Sequence, residues 1–347
     1  METGNKGILI RADGNPDIAT GHLMRCLSIA QAVKERDIPL FFAVSDENSE
    51  QLLRSFMDRE EEFPVICIHT DYRSPETELD KMRVLIRQNN IGCVLIDSYF
   101  VTCAYLEGLC QAAKTAYIDD ICSFDYPVDL VINYDADPPA DFYRKCRYKL
   151  LGMAYTPLRR QFLGLCPDVR PQVKDILIST GGTDPYQMAE RLLNKLLPFI
   201  EKQEIRCHLL AGPMHSGRAA LKLLAKEHPG MTLYEHVSDM AALIGRCDLA
   251  VSAAGTTLYE LCAAGVPAVS FTMADNQLAS AKDMERYAGI PYAGDVRTEP
   301  DLAEKLVKTL ICLSESFEKR ASLSHSMHKM VDGSGSVRIA EGLENLL

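Results

Sequence analysis

Short apolar runs alternate with longer amphipathic ones from one end of the chain to the other. In the first half, the runs at 7–11, 38–44, 64–68, 93–97, 115–118 and 129–132 read as strands. The stretches at 22–35, 47–57, 76–88 and 104–113 carry apolar residues at helical spacing. Buried strands separated by helices of about a dozen residues predict a parallel, doubly wound sheet. The second half repeats the arrangement. Its strands are expected at 175–179, 206–211, 232–235, 249–252 and 268–271. Its helices are expected at 185–199, 218–226, 240–247, 256–264 and 276–287, with further helical segments from 302 onward. Residues 156–173 hold three prolines and no clear period, which suits a linker. The fold class is therefore α/β with two Rossmann-like domains, 1–157 and 172–347, a division that 347 residues suit. A ligand is expected where strand carboxyl ends face a shared cleft.

Composition narrows the partners. The chain is 47% hydrophobic and 24% charged, the balance of a folded globular protein. A formal net charge of -11 argues against nucleic acid and against an anionic membrane surface, since both need a cationic face. A polyphosphate is still admissible if backbone N–H groups and helix ends hold it. No apolar stretch approaches the ~20 residues of a membrane helix, so stable membrane insertion is not expected. The polar opening residues lack an apolar signal core, and a cytoplasmic location is expected. The twelve cysteines form no Cys-x-x-Cys pair, and Cys67, Cys93, Cys207 and Cys247 lie in apolar runs, so they read as buried thiols. No His/Asp/Glu cluster shows ligand spacing. His325 and His328, three apart on a late helix, do not make a site by themselves. Neither a metal nor a cofactor is expected.

The most informative segment joins the first strand to the first helix. After Arg11, Ala12, Asp13 and Gly14 the chain reaches Gly21 and His22, where an amphipathic helix begins. This is neither the Gly-x-Gly-x-x-Gly dinucleotide fingerprint nor a P-loop. A histidine at a helix start is biased toward its neutral form, because the positive end of the dipole disfavours a second proton. A neutral imidazole at a strand end can take a proton from water or a hydroxyl. The alternative is a partly buried first-turn residue with no chemistry. Asp13 either orients His22, binds a sugar hydroxyl, or turns the loop by bonding its own backbone, the last being the reading its type favours. Arg25, one turn after His22, reaches a phosphate or a carboxylate, or lies on the surface.

Two later loops suit a diphosphate. Ser179, Thr180, Gly181, Gly182, Thr183, Asp184 and Pro185 form a strand-to-helix turn. Pro185 fits the first helical position, with Asp184 or Thr183 as its cap. Gly181 and Gly182 let backbone N–H groups face an anion. In the second loop a strand ends at Ser252, Gly255 makes a tight turn, and Thr256 and Thr257 open a helix with hydroxyls that suit phosphate oxygens. Glu260 stands one turn on, where it accepts ribose hydroxyls or is a solvated helix residue. Gly265, Val266 and Pro267 end that helix, and a further strand leads to Ala274, Asp275, Asn276 and Gln277, a polar cluster suited to sugar hydroxyls or amides.

Taken together, these motifs resemble the bacterial UDP-sugar hydrolases of pseudaminic acid biosynthesis. These are relatives of the inverting N-acetylglucosaminyltransferase of peptidoglycan synthesis and share its two-Rossmann GT-B architecture. The resemblance runs from about Gly7 to Ile339. Three segments are similar to the hydrolase and not to the transferase: Arg11 to Gly14 with Gly21, His22, Met24, Arg25 and Cys26; Asp97, Ser98 and Tyr99; and Leu151, Gly152, Tyr155, Leu158 and Arg159. Ala19 stands where that family has Gly. The resemblance implies His22 as the catalytic base, Tyr99 and Asn276 at the sugar and Glu260 at the ribose of UDP, beside the candidates read from the residues themselves: Asp13 at the sugar and Gly181, Gly182, Gly255, Thr256 and Thr257 at UDP. It also implies metal-independent, inverting hydrolysis of UDP-2,4-diacetamido-2,4,6-trideoxy-β-L-altropyranose to the free sugar and UDP. The alternatives are an inverting UDP-sugar glycosyltransferase and a related UDP-sugar hydrolase of another surface-glycan pathway.

Overall fold

The structure is a computed structural model that describes residues 6–15, 18, 20–57 and 62–347. Every residue of β1 (Gly7–Ala12) is buried, and its alternate side chains leave on opposite faces of the sheet. Ile8 and Ile10 enter a core with Leu23, Cys26 and Ile29 of α1 (Gly21–Lys34). Leu9 enters the core on the other face, with Met82 of α3 (Leu79–Gln88) and Leu106 of α4 (Cys103–Cys110). Around β1 lie β2 (Leu40–Val44), α2 (Glu47–Phe56), β3 (Val65–Cys67), β4 (Ile91–Asp97), β5 (Lys114–Ile118), β6 (Leu130–Asn133) and β7 (Tyr148–Leu151). The strand order is β3-β2-β1-β4-β5-β6-β7, and the paired strands run parallel. The order reverses between β1 and β4, where Ala12 lies beside Asp97. Such a switch point leaves a crevice at the strand carboxyl ends.

The second unit repeats this plan with β8 (Asp175–Ser179), α5 (Met188–Lys202), β9 (Arg206–Leu210), α6 (Arg218–Glu227), β10 (Met231–Tyr234) and α7 (Met240–Gly245). It continues through β11 (Leu249–Ala253), α8 (Thr256–Ala264), β12 (Ala268–Thr272), α9 (Asp275–Ala288), β13 (Tyr292–Asp295), α10 (Leu302–Ser314) and α11 (Phe317–Met330). The order β10-β9-β8-β11-β12-β13 switches between β8 and β11, where Ser179 faces Ser252.

Departures from the expected elements have local causes. The outermost strands β7 and β13 have no residue fully buried, so neither leaves a continuous apolar run to read. The helix expected over 76–88 is a 3-10 turn (Pro75–Glu78) followed by α3, with Pro75 in the first turn. The helix expected from 185 starts instead at Met188, because Asp184 and Gln187 hold φ of 42° and 53°, outside the helical region.

The expected division between domains also shifts. One compact unit comprises 1–160 with 334–347, and the other 161–333. The last helix, α12 (Gly335–Glu344), therefore belongs to the first unit and not to the second. Its Ile339, Ala340 and Leu343 complete the core beside α1. Gly335 lies so close to the Thr156 carbonyl that a Cβ there would overlap it. The presumed linker is partly built in, with Thr156, Leu158 and Phe162 buried. All twelve cysteines are unpaired; Cys93, Cys207 and Cys247 are buried as expected, whereas Cys67 is half-buried. Among the described residues no helix is long and apolar enough to cross a membrane.

Candidate functional site

At the switch point of the first unit, α1 starts directly behind β1 and sets His22 in its first turn, buried at 5% exposure. Asp97, the last residue of β4, is fully buried and reaches His22 Nδ1 with Oδ1 at 2.5 Å. Arg25 clasps the same carboxylate with two N–H groups, Nε to Oδ2 at 2.6 Å and Nη2 to Oδ1 at 2.5 Å. Burial alone would raise the Asp97 carboxyl, but Arg25 first and His22 second hold it well below the usual carboxylate range. An ionised Asp97 accepts only, so His22 carries its proton on Nδ1 and presents the Nε2 lone pair. Arg25 Nη2, 3.2 Å from the same Nδ1, is then a neighbour and not a donor to it. Nε2 makes no hydrogen bond with a described residue.

The wall around His22 is polar. The Tyr99 ring meets the imidazole edge-on at 4.5 Å, and its hydroxyl donates to Asp120 Oδ2 at 3.0 Å. Arg25 Nη1 donates to the same Asp120 oxygen at 3.0 Å and to the Tyr134 hydroxyl at 2.6 Å. Burial and the Asp120 charge push the Tyr99 phenol up, so it remains a donor at neutral pH. Asp120 Oδ1 is buried with no hydrogen-bond partner, an acceptor left over on the carboxylate that Arg25 and Tyr99 hold. Arg25 thus reaches carboxylates, one of the roles open to it from sequence.

Asp13 does not orient His22, whose partner is Asp97, and it does not turn its own loop. Its Oδ2 takes Arg11 Nη1 at 2.5 Å and its Oδ1 takes the Ser45 N–H at 2.6 Å. Arg11 also donates to both oxygens of Glu78, at 2.9 and 2.8 Å. This ion cluster is buried, and through it and the Ser45 N–H Asp13 ties β1 to the end of β2. Ala19 lies outside the described residues.

In the second unit the two glycine loops follow β8 and β11, the neighbouring strands of its switch point. Gly181 takes φ +85°, and a Cβ at Gly181, Gly182 or Gly255 would meet nothing within 4 Å. Gly255 is extended, with φ −114°, so its missing side chain gives room for approach and does not make the turn. No side chain caps α8, and the exposed Thr256 and half-buried Thr257 stand at its N-terminus. Free N–H groups and two hydroxyls at a helix start suit an anion. Pro185 is not the first helical residue and neither Asp184 nor Thr183 is the N-cap, because Gln187 precedes the helix; Asp184 instead accepts the N–H groups of Met188 and Ala189 at 2.8 Å each. Its charge is thereby turned from the loop. Glu260 is buried at 5% exposure, against its reading as a solvated helix residue. Asn276 is exposed in the first turn of α9.

Sequence reasoning missed Asp97, Asp120 and His215 as parts of these sites. The signal for Asp97 is a carboxylate ending an otherwise apolar strand at the switch point. His215 supports the first glycine loop from beneath: its Nδ1 accepts the Gly217 N–H at 3.2 Å, which leaves Nε2–H for Thr180 Oγ1 at 3.0 Å. Burial pushes this imidazole down, against the opposing pull of Asp184.

Residues 176–332 match the Glycosyltransferase family 28 C-terminal domain. The chain is 24% identical to the spore coat polysaccharide biosynthesis protein SpsG of Bacillus subtilis, over 97% of each. A 138-residue stretch is 25% identical to the pseudaminic acid cytidylyltransferase and UDP-2,4-diacetamido-2,4,6-trideoxy-beta-L-altropyranose hydrolase of Helicobacter pylori, covering 39% of this chain and 24% of that one. The crystal structure of Acinetobacter baumannii MurG shares the fold with a TM-score of 0.66 and 15% identity, over 98% of this chain and 99% of MurG. The chain consists of two parallel-sheet α/β domains that match the GT-B fold of glycosyltransferase structures such as MurG, and residues 176–332 are similar to the family 28 C-terminal domain.

Proposed function

We propose that this protein hydrolyses a UDP-linked sugar with inversion at the anomeric carbon, the substrate being UDP-2,4-diacetamido-2,4,6-trideoxy-β-L-altropyranose or a close surface-glycan relative. The observation that carries this reading is the His22–Asp97 pair. Nδ1 is committed to a carboxylate, and Nε2 is left without a bond to a described residue. His22 Nε2 removes a proton from water, whose oxygen attacks the anomeric carbon while the bond to UDP breaks on the opposite face. Asp97 stabilises the imidazolium that forms and fixes its orientation, so it is a positioning residue. Diphosphate is a competent leaving group. The N–H groups and hydroxyls of the Gly181–Gly182 and Gly255–Thr257 loops bear the charge that develops on it. Glu260 takes the ribose, and Tyr99 and Asn276 contact the sugar. Relatives in spore-coat polysaccharide and pseudaminic acid synthesis support a surface-glycan role.

The second reading is an inverting glycosyltransferase in which the same Nε2 deprotonates an acceptor hydroxyl. It is favoured by the family 28 domain and by the likeness to MurG. Incubation of the purified protein with the UDP-sugar in ¹⁸O-water separates them. Hydrolysis releases UDP and puts the label on the anomeric carbon. No turnover until an acceptor is added supports transfer and overturns hydrolysis.

A further inference from the structure

Away from His22, at the carboxyl ends of β2 and β3, the fold gathers three side chains that sequence spacing does not connect. Glu47 is the first residue of α2, Cys67 the last of β3, and His69 follows two residues later. One ligand atom from each lies within 4.8 Å of the other two. Cys67 Sγ is 3.5 Å from His69 Nδ1, and that nitrogen is 3.3 Å from Glu47 Oε1.

These separations have a meaning for a tetrahedral ion. With zinc bonds of about 2.3 Å to sulfur and about 2.0–2.2 Å to nitrogen and oxygen, tetrahedral angles put S and N about 3.5 Å apart and N and O about 3.4 Å apart. The two measured edges match both values. We propose that Glu47, Cys67 and His69 bind one Zn²⁺ ion through a thiolate, an imidazole and a carboxylate, with solvent in the fourth position. A thiolate beside an imidazole selects zinc over magnesium or calcium, which take oxygen ligands.

The frame that carries the ligands is already fixed. Ile68 N–H donates to the Val44 carbonyl at 2.9 Å and Thr70 N–H to the Ser45 carbonyl at 3.0 Å, so His69 is held between two locked neighbours. His69 itself takes φ +51°, an uncommon backbone state for a residue with a side chain. Lys81 Nζ clamps the Ile68 and His69 carbonyls at 2.7 and 2.9 Å. The thiol proton goes to solvent as the S–Zn bond forms. The expectation from spacing that the chain lacks a ligand cluster is revised accordingly. Glu47 and Cys67 lie twenty residues apart on different elements.

The test is titration of the full-length, metal-stripped protein with Co²⁺ as a spectroscopic probe and with Zn²⁺ by calorimetry. The expected result is one ion per chain, with a thiolate-to-cobalt charge-transfer band and tetrahedral d–d bands. Cys67→Ser should abolish the band, and His69→Ala should weaken Zn²⁺ binding beyond the about 10–100-fold that loss of an outer-shell partner costs. The double variant Cys166→Ser/Cys312→Ser, which removes the two exposed thiols, should bind as the parent does. Absence of stoichiometric binding, or binding unchanged in both Cys67→Ser and His69→Ala, overturns the site. Circular dichroism checks each fold. Should Cys67→Ser unfold, the exposed His69→Ala position decides.

Discussion

The two switch points of the molecule present the same topology and opposite chemistry. In the first unit the strand ends carry charge: His22, Asp97, Arg25 and Asp120 are knit by contacts of 2.5–3.0 Å. In the second, the strand ends carry glycines, threonines and an uncapped helix start, and the one acid of the first loop is used up inside α5. The histidines make the contrast sharper. His22 Nδ1 donates to the Asp97 carboxylate at 2.5 Å, and its Nε2 makes no hydrogen bond with a described residue. His215 is bonded to a backbone N–H and a hydroxyl, and burial pushes its imidazole down, which keeps it neutral. On the proposed reading, a fold repeated twice provides one place that moves a proton and one that holds an anion.

The largest test of that contrast is His22→Ala. Turnover should fall by about 10²–10⁴-fold, the usual range for a positioned base, while UDP affinity measured by calorimetry is unchanged. Turnover at the parent rate would falsify the assignment of His22 as base.

Asp97→Asn should follow, with kcat reduced roughly a hundredfold or more because the amide can donate to Nδ1 and leave the proton on Nε2. A purely structural Asp97 would leave the pH profile of kcat unmoved; a positioning one shifts it. The same variant alters acid stability. The folded-state carboxyl lies below its ordinary value of 3.8, so its contribution is fully present above that value. It is lost as pH falls toward the depressed folded value. Urea midpoints of the parent should therefore drop as pH is lowered below about 4. The Asp97→Asn midpoints should fall less steeply. Parallel slopes for the two proteins would remove Asp97 from the acid transition.

Much of this was legible in the chain. Both sheets, their helices and the loops after β1, β8 and β11 follow from apolar runs of strand length broken by glycine and polar residues. What periodicity could not give was pairing across distance. Asp97 was visible as the end of a strand and as part of a family-like segment, but not as the partner of His22, which lies 75 residues earlier. Asp13 looked available for a ligand because nothing local shows Arg11 and Ser45 taking both its oxygens. The last helix was assigned to the wrong unit because an amphipathic pattern states that a face is buried and not against what. Glu260 stayed open for the same reason: by type alone it is either a ribose ligand or a solvated helix residue, and its burial removes only the second.

A smaller effect is expected at the first glycine loop. Gly181→Ala places a side chain at φ +85°, which costs about 1–2 kcal/mol in folding stability. The methyl group enters open space, so it strains the backbone without a clash against described atoms. It also occupies the room proposed for the diphosphate. Calorimetric titration with UDP should show weaker binding than the thermal shift alone explains. Unaltered UDP affinity would leave Gly181 a turn residue and nothing more.

The finest division is made at α8. Thr256→Ala and Thr257→Ala each remove one hydroxyl but leave the helix-start N–H groups in place. The loss should be about 0.5–1.5 kcal/mol per hydroxyl, roughly 2–12-fold in UDP affinity. If these groups only hold the nucleotide, KM rises and kcat stays, since substrate and transition state lose the same interaction. If they also bear the charge of departing UDP, kcat falls with kcat/KM, because the interaction strengthens as the bond breaks. The second outcome would show that the anion-holding unit shares in the chemistry, and the contrast with His22 would become one of degree: one end moves the proton while the other receives the electrons.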